Sequence, residues 1–311
     1  MILLHEPAAL DPGGRPVALA IGVFDGVHRG HQEVIRRTRQ AAEQAGGLAV
    51  VATFDRHPNA VVAPERTPPA ILSTAQRLRV LAELGVAATW LIRFDETFSR
   101  QTGEEFVRRL VAGFGRVARI CVGRDFQFGW RRSGNVALLK RLGAELGFAT
   151  EAVPPLTLDG RTISSTGIRE FLRQGRLEAA ARWLGRPYVL AGPVVRGDGL
   201  GRRLGFATAN VDVSGLQLPP TGVYAARARE PGAAWEPAVM NLGVRPTLGR
   251  AEPHPRLEVH VLDRHPELYG RELEVWPVRR LRAETRFASW TALQAQIERD
   301  IAAAREILQA A

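Results

Sequence analysis

Between residues 17 and 154 the sequence alternates apolar runs of strand length with segments of helical period, and no other feature restricts the fold so tightly. The runs PVALAIGVF, LAVVATF, ATWLIRF, VARICVG and the weaker FATEAVP read as strands, since continuous apolar stretches of that length suit a sheet covered on both faces. Between them HQEVIRRTRQAAEQAG, TAQRLRVLAELG, GEEFVRRLVAGF and VALLKRLGAELG place apolar residues three to four apart, and most close on glycine. This order predicts a doubly wound α/β domain, Rossmann-like, with a parallel sheet.

After GRPYVLAGPVVRGDG helical periodicity gives way to short β-rich runs broken by Gly and Pro: YVLAGPVV, GVYAARAR, PAVMNLGV, LEVHVL and ELEVWPV. Runs spaced closely enough to pair as neighbours predict a small antiparallel β-barrel. SWTALQAQIERDIAAAREIL then reads as a C-terminal amphipathic helix begun by Ser289. A chain of 311 residues is long for one domain, and WLGRP ends a helical pattern before a proline, so the expected domains are 1–183 and 184–311.

Composition narrows the chemistry. Cys121 is the only cysteine, which excludes intrachain disulfides and a cysteine zinc cluster; within RICVG it reads as a small buried hydrophobe. MILLHEPAAL lacks the basic start of a secretory signal and no apolar stretch reaches membrane-span length, so a cytoplasmic location is expected. The net charge of +10 is spread over both halves without a block of consecutive basic residues, which argues against a nucleic-acid partner. Lys140, in LLKRLG, is the only lysine, so neither a GxxxxGK loop nor a protein-kinase strand lysine exists. ATP chemistry here must use backbone amides, arginine, hydroxyls and metal.

IGVFDGVHRGH (21–31) follows the first long strand, where an α/β sheet favours a phosphate site. Gly22, Gly26 and Gly30 let the backbone approach a ligand, and the helix after it offers free amides. His28 and His31 can donate to phosphoryl oxygens or can simply cap the turn. RTISSTGIREFL (161–172) sets Ser164, Ser165 and Thr166 ahead of Arg169; such a hydroxyl run is either a phosphate contact or an ordinary N-cap.

Together these stretches resemble the HxGH and ISSTxxR signatures of the nucleotidylyltransferase superfamily. GxFDGxHxGH more specifically resembles the adenylyltransferase domain of bacterial bifunctional riboflavin kinase/FAD synthetases, as do TFDRHP (53–58) and GRDFQFG (123–129). Class I synthetases share the HxGH turn, but a KMSKS-like lysine motif is absent. The resemblance implies ATP and FMN as substrates. Gly22, Phe24, Asp25, His28, His31, Arg161, Ser164, Ser165 and Arg169 would lie on the ATP side, His57 and Asp125 on the flavin side. Taken alone, Asp125 is equally a loop cap and His57 a surface histidine. Arg56 stands where that family usually has proline, leaving the loop less constrained.

In the second half, GDGLGRRLGFATANVDV (197–213) resembles the riboflavin kinase motif GxGxGRxLGFPTAN. GVY (222–224), NLGVRPT (241–247), LEVH (257–260) and LYG (268–270) follow in the family's order. The resemblance implies a phosphate loop through Gly199, Gly201, Arg202 and Gly205, Mg2+ and ATP contacts at Thr208 and Asn210, and Glu258 as the general base for the riboflavin 5'-hydroxyl. Without it, alternation in LEVHVL points Glu258 and His260 at solvent, Asn241 is a turn former, and Thr208 is a strand hydroxyl. Ala207 replaces the motif's proline, which loosens the loop and predicts a weaker kinase; Ala207→Pro is expected to raise FMN turnover, and a rate no better than the parent's removes the idea. The resulting expectation is an enzyme that makes FMN from riboflavin and FAD from FMN, with small-molecule substrates, neither nucleic acid nor membrane as partner, and no oligomeric state specified. A one-activity adenylyltransferase carrying a passive barrel is the competing expectation.

Overall fold

The computed structural model describes residues 1–197, 205–245, 254–264 and 268–310. The chain divides into two compact units, Met1–Ala70 with Thr74–Ser165, and Ile71–Ser73 with Thr166–Ala311.

The first unit contains β1 (Ile2–Leu4), β2 (Val17–Ile21), β3 (Leu48–Phe54), β4 (Ala88–Ile92), β5 (Val117–Gly123) and β6 (Ala149–Val153). They form one parallel sheet in the order β1-β4-β3-β2-β5-β6. Every residue of β2 is buried, as befits a central strand covered on both faces. The chain adds β3 and β4 on one side of β2 and then returns to place β5 on the other, so the topological switch lies between β2 and β5. The five long runs read from the sequence are all strands. β1 was not among them, because three residues with Ile2 and Leu3 exposed at a sheet edge carry no period.

Helices α1 (Arg29–Gln44), α2 (Asn59–Val62), α3 (Thr74–Glu83), α4 (Glu96–Ser99), α5 (Gly103–Phe114) and α6 (Val136–Leu146) connect these strands. Their ends are written locally. Thr102 and Glu105 form a reciprocal capping box on α5; Asn135 accepts from the Leu138 amide at 3.0 Å to begin α6, and Gly147 closes it in the left-handed region at φ +83°. The apolar faces of α5 and α6 share a core with the sheet, built around Leu110, Leu139, Ile120 and Trp90, the last stacked on Phe106. Cys121 is fully buried, and burial pushes its thiol up to about 11, so it is an inert core residue at neutral pH.

A two-strand hairpin, β7 (Thr157–Leu158) with β8 (Arg161–Thr162), precedes α7 (Ser165–Arg173) and α8 (Leu177–Leu184). The barrel consists of β9 (Leu190–Val195), β10 (Ala209–Val211), β11 (Gly222–Arg229), β12 (Glu236–Arg245), β13 (His254–Val261) and β14 (Glu272–Arg282), closed in the order β10-β13-β12-β11-β14-β9. Closure removes the free edges that such short strands would otherwise expose.

Alternation separates the two faces of the barrel wall. Tyr224, Met240, Leu242, Leu257 and Val259 are at most 1% exposed and fill the interior, whereas Val223, Ala225 and Val239 point outward and pack on Ala304 and Leu308 of the C-terminal helix. That helix, Trp290–Gln309, begins where the sequence indicated, with the Ser289 hydroxyl accepting from the Ala292 amide at 3.1 Å. Part of the barrel's outer wall is therefore a covered surface, and its polar residues do not face bulk water.

Candidate active sites

The first site forms where β2 ends. His28 is the N-cap of α1: its Nδ1 accepts from the His31 amide at 3.3 Å, which leaves the proton of a neutral ring on Nε2. The His31 ring lies parallel to that of His28, with centroids 3.6 Å apart, and the Phe24 ring meets His31 edge-on. A side chain at Gly30 would press on the His28 ring at 3.2 Å, so this glycine is the room the imidazole needs.

The turn itself is strained. Phe24 and Val27 adopt φ of +50° and +39°, a region that costs a non-glycine residue about 1–3 kcal/mol. Several contacts over-determine it. The Val27 amide donates to Phe24 O at 3.0 Å, Gln32 donates to Val27 O at 2.8 Å, and Thr53 and Arg77 both donate to Val23 O at 3.0 Å. Arg77, buried on α3, also donates to Phe54 O. Burial pulls its guanidinium below the usual arginine value while the nearby Asp25 and Asp55 carboxylates push back. The sequence had shown Arg77 only as a polar residue within a helix; nothing in its spacing marked it as the brace of the turn.

Ser165, at the first position of α7, donates from its hydroxyl to Asp25 O at 2.9 Å, so the ISST segment and the paired-histidine turn meet. Gly22 sits over the Phe24 ring, and Asp25 is buried. Arg169 is buried on α7, Ser164 is half-buried just before that helix, and Arg161 is exposed on β8.

Beside the turn, at the carboxyl ends of the parallel strands, lies a cleft of about 460 Å³. Phe54, Phe94, Phe98, Phe106, Phe126 and Phe128 line it, in a chain of edge-on, tilted and stacked contacts. Such a ring-lined slot suits a flat aromatic ligand. His57 lines it too, its Nδ1 accepting from the Asn59 amide at 3.1 Å. Asp125 is exposed and lies outside the lining, next to Phe126. The phenylalanines escaped the sequence reading as a group. The signal was available, since LAVVATF, LIRF and FQFG each set a Phe at or just beyond a strand end.

The second site lies on the covered outer wall of the barrel. In the strand register Asn210 is opposite Glu258, and Glu258 is opposite Asn241, so β10, β13 and β12 carry these three side chains in one row. Glu258 and Asn241 line a cavity of about 320 Å³ together with Thr208, His260, Glu284 and residues of the C-terminal helix, and Asn210 stands beside Glu258 on β10, outside that lining. The alternation that pointed Glu258 and His260 out of the barrel was right in direction. The helix and the segment before it cover that face, so both residues line a pocket, and Asn241 is a mid-strand residue instead of a turn former.

His260 Nδ1 donates to Ala207 O at 2.8 Å, and Phe206 packs edge-on against its ring. The position without the family's proline is thus tethered from β13. Arg282 clamps the buried Asp300 with bonds of 2.8–3.0 Å, and Gln296 adds another at 2.8 Å, which fixes the C-terminal helix over the pocket. Gly199, Gly201 and Arg202 lie outside the described residues; Gly205 follows in the left-handed region at φ +88°.

Gly197 lies against the side chain of Asn210. A Cβ there would overlap the Asn210 amide. Displacing a reactant-positioning group by the order of 1 Å can cost about 10²-fold in rate, so Gly197→Ala is expected to slow FMN formation by about 10–100-fold and to leave FAD formation from added FMN unchanged. Rates of the two steps, read by flavin chromatography, check this.

The family model for FAD synthetase matches residues 12–167, and that for riboflavin kinase matches residues 184–308. A bifunctional riboflavin kinase/FMN adenylyltransferase of Pseudomonas fluorescens is 41% identical over 300 residues, covering 96% of this chain and 95% of its own. The protein of the same description from Escherichia coli K12 is 39% identical over 288 residues, 93% of this chain and 91% of that one. A Streptococcus pneumoniae crystal structure titled a macrolide-efflux protein superposes with a TM-score of 0.82 at 28% identity, covering 98% of both chains. Among the described residues no helix is long and apolar enough to cross a membrane. Two matched enzyme domains in the order of the two sites, and relatives aligned along nearly the whole chain, make this protein a member of the bifunctional riboflavin kinase/FMN adenylyltransferase family, which makes FMN and FAD.

Proposed function

We propose that FMN is adenylylated at the paired-histidine turn and that riboflavin is phosphorylated on the outer wall of the barrel, with 1–183 and 184–311 as the two catalytic domains. In the first reaction an FMN phosphate oxygen attacks the α-phosphorus of ATP and pyrophosphate leaves. His28 Nε2–H and His31 donate to the phosphoryl oxygens, and the first amides of α1 add the positive end of its dipole. Arg161, Ser164, Ser165 and Arg169 hold the triphosphate, with Gly22, Phe24 and Asp25 shaping the turn beneath it. The phenylalanine-lined cleft takes the isoalloxazine, and His57 and Asp125 flank the flavin nucleotide.

In the second reaction Glu258 takes the proton of the riboflavin 5'-hydroxyl as that oxygen attacks the γ-phosphorus, and ADP leaves. Thr208 and Asn210 present hard oxygen donors with room kept open by Gly197, and no cluster of three or more His, Cys, Asp or Glu that could hold a metal occurs among the described residues. That donor set fits Mg2+, which is commonly held by few protein oxygens together with substrate phosphates, and which supplies charge neutralisation on the triphosphate. Gly199, Gly201, Arg202 and Gly205 complete the phosphate loop. Substrates are small molecules, without a nucleic-acid or membrane partner, and a cytoplasmic location goes with ATP-dependent chemistry and a single buried thiol.

The observation that carries this reading is that Glu258 and Asn241, in one strand row with Asn210, line a pocket of their own with Thr208, separate in sequence from the histidine turn. The test is incubation of purified protein with riboflavin, ATP and magnesium, followed by chromatography. FMN followed by FAD is expected; absence of both would contradict it.

A further inference from the structure

A third concavity, of about 450 Å³, lies between the start of α8 and β14 and belongs to neither site. Arg176, the residue just before α8, and Arg182 on α8 line it together with Arg279 and Arg280 from β14, against one carboxylate, Glu178. Two guanidinium groups are held in place by partners that leave their charge uncompensated. Arg280 donates to Thr221 O at 2.6 Å and occupies space that a Cβ on Gly222 would contest at 2.8 Å; Arg176 lies 4.8 Å over the Phe171 ring. Among the described residues Arg176, Arg279 and Arg280 form no ion pair with a carboxylate, whereas Arg229, Arg271 and Arg282, elsewhere on the barrel, each do. β14 is also irregular here, with register shifts against β11 on either side of Arg279 and Arg280, both of which line the cleft.

Fixed guanidinium forks around a small concave space match the oxygens of linked phosphates, which accept paired hydrogen bonds and carry several charges within a few ångströms. The volume exceeds what one phosphate needs. We propose that this cleft is a third, non-catalytic site for an oligophosphate, the di- or triphosphate chain of the class that both reactions consume or release. It stands independently of the roles given to the two active sites.

Equilibrium dialysis of the full chain against labelled inorganic triphosphate, without magnesium, tests this. The parent is expected to bind one equivalent more than Arg176→Glu/Arg279→Glu, whose affinity at that site falls by about tenfold or more, as loss of charge-assisted bonds implies. Arg66→Glu/Arg100→Glu makes the same charge change on exposed residues of the first unit and is expected to bind like the parent. Parent-level FMN formation shows that the variant is folded; if charge reversal impairs it, Arg176→Gln/Arg279→Gln carries the same comparison. Displacement of the label by ATP identifies the nucleotide's phosphate tail as the ligand, and displacement by pyrophosphate alone identifies free polyphosphate. Equal binding by parent and cleft variants, or an equal loss in the control pair, would overturn the proposal.

Discussion

Replacing both histidines of the turn, His28→Ala/His31→Ala, is expected to reduce FAD formation from FMN by at least about 10²–10³-fold, the cost of losing an aimed donor at a phosphoryl centre. The two losses will not multiply, because stacked rings joined through the His28 cap act as one unit. Riboflavin phosphorylation should continue at the parent's rate, since the described lining of the barrel pocket contains no residue of the first unit. One structural effect must be separated from the chemical one. His28 caps α1, and losing an N-cap costs about 1 kcal/mol. His28→Asn keeps a capping side chain without the imidazole, so a lost rate with an unchanged melting temperature identifies the ring as the functional part.

Glu258→Gln is expected to show the reverse pattern. Removing a general base costs about 10²–10⁴-fold, and glutamine preserves the shape of the side chain in its row between Asn210 and Asn241. FMN formation from riboflavin should therefore fall by that factor, while FAD formation from supplied FMN is unchanged. A rate of FMN formation equal to the parent's would return Glu258 to the status of an ordinary strand residue and leave the barrel as a passive module.

Much of this was legible in the sequence because it is written in local patterns. The five apolar runs and the capped, glycine-closed helices of the first domain depend on neighbours within a dozen residues, and each appears where its pattern lies. The short elements did not announce themselves: β10 has three residues, and its role is to bring Asn210 level with Glu258. What escaped is what depends on packing across the chain. Arg77 braces carbonyls of residues 23 and 54, a relation that helical spacing does not encode. Alternation gave Glu258 the outer face of the barrel, but only the docked C-terminal helix, pinned through Arg282 and Asp300, turns that face into a pocket. The HxGH and FATAN motifs compensated for this, because they name chemistry without specifying what encloses it.

The claim beneath the whole account is that one chain holds two self-sufficient reaction pockets joined only by the FMN that leaves one and enters the other. Mixing the His28→Ala/His31→Ala protein with the Glu258→Gln protein in riboflavin, ATP and magnesium tests it directly. The prediction is that the mixture makes FAD although neither protein alone does so at a comparable rate. A mixture no better than its better component would contradict it.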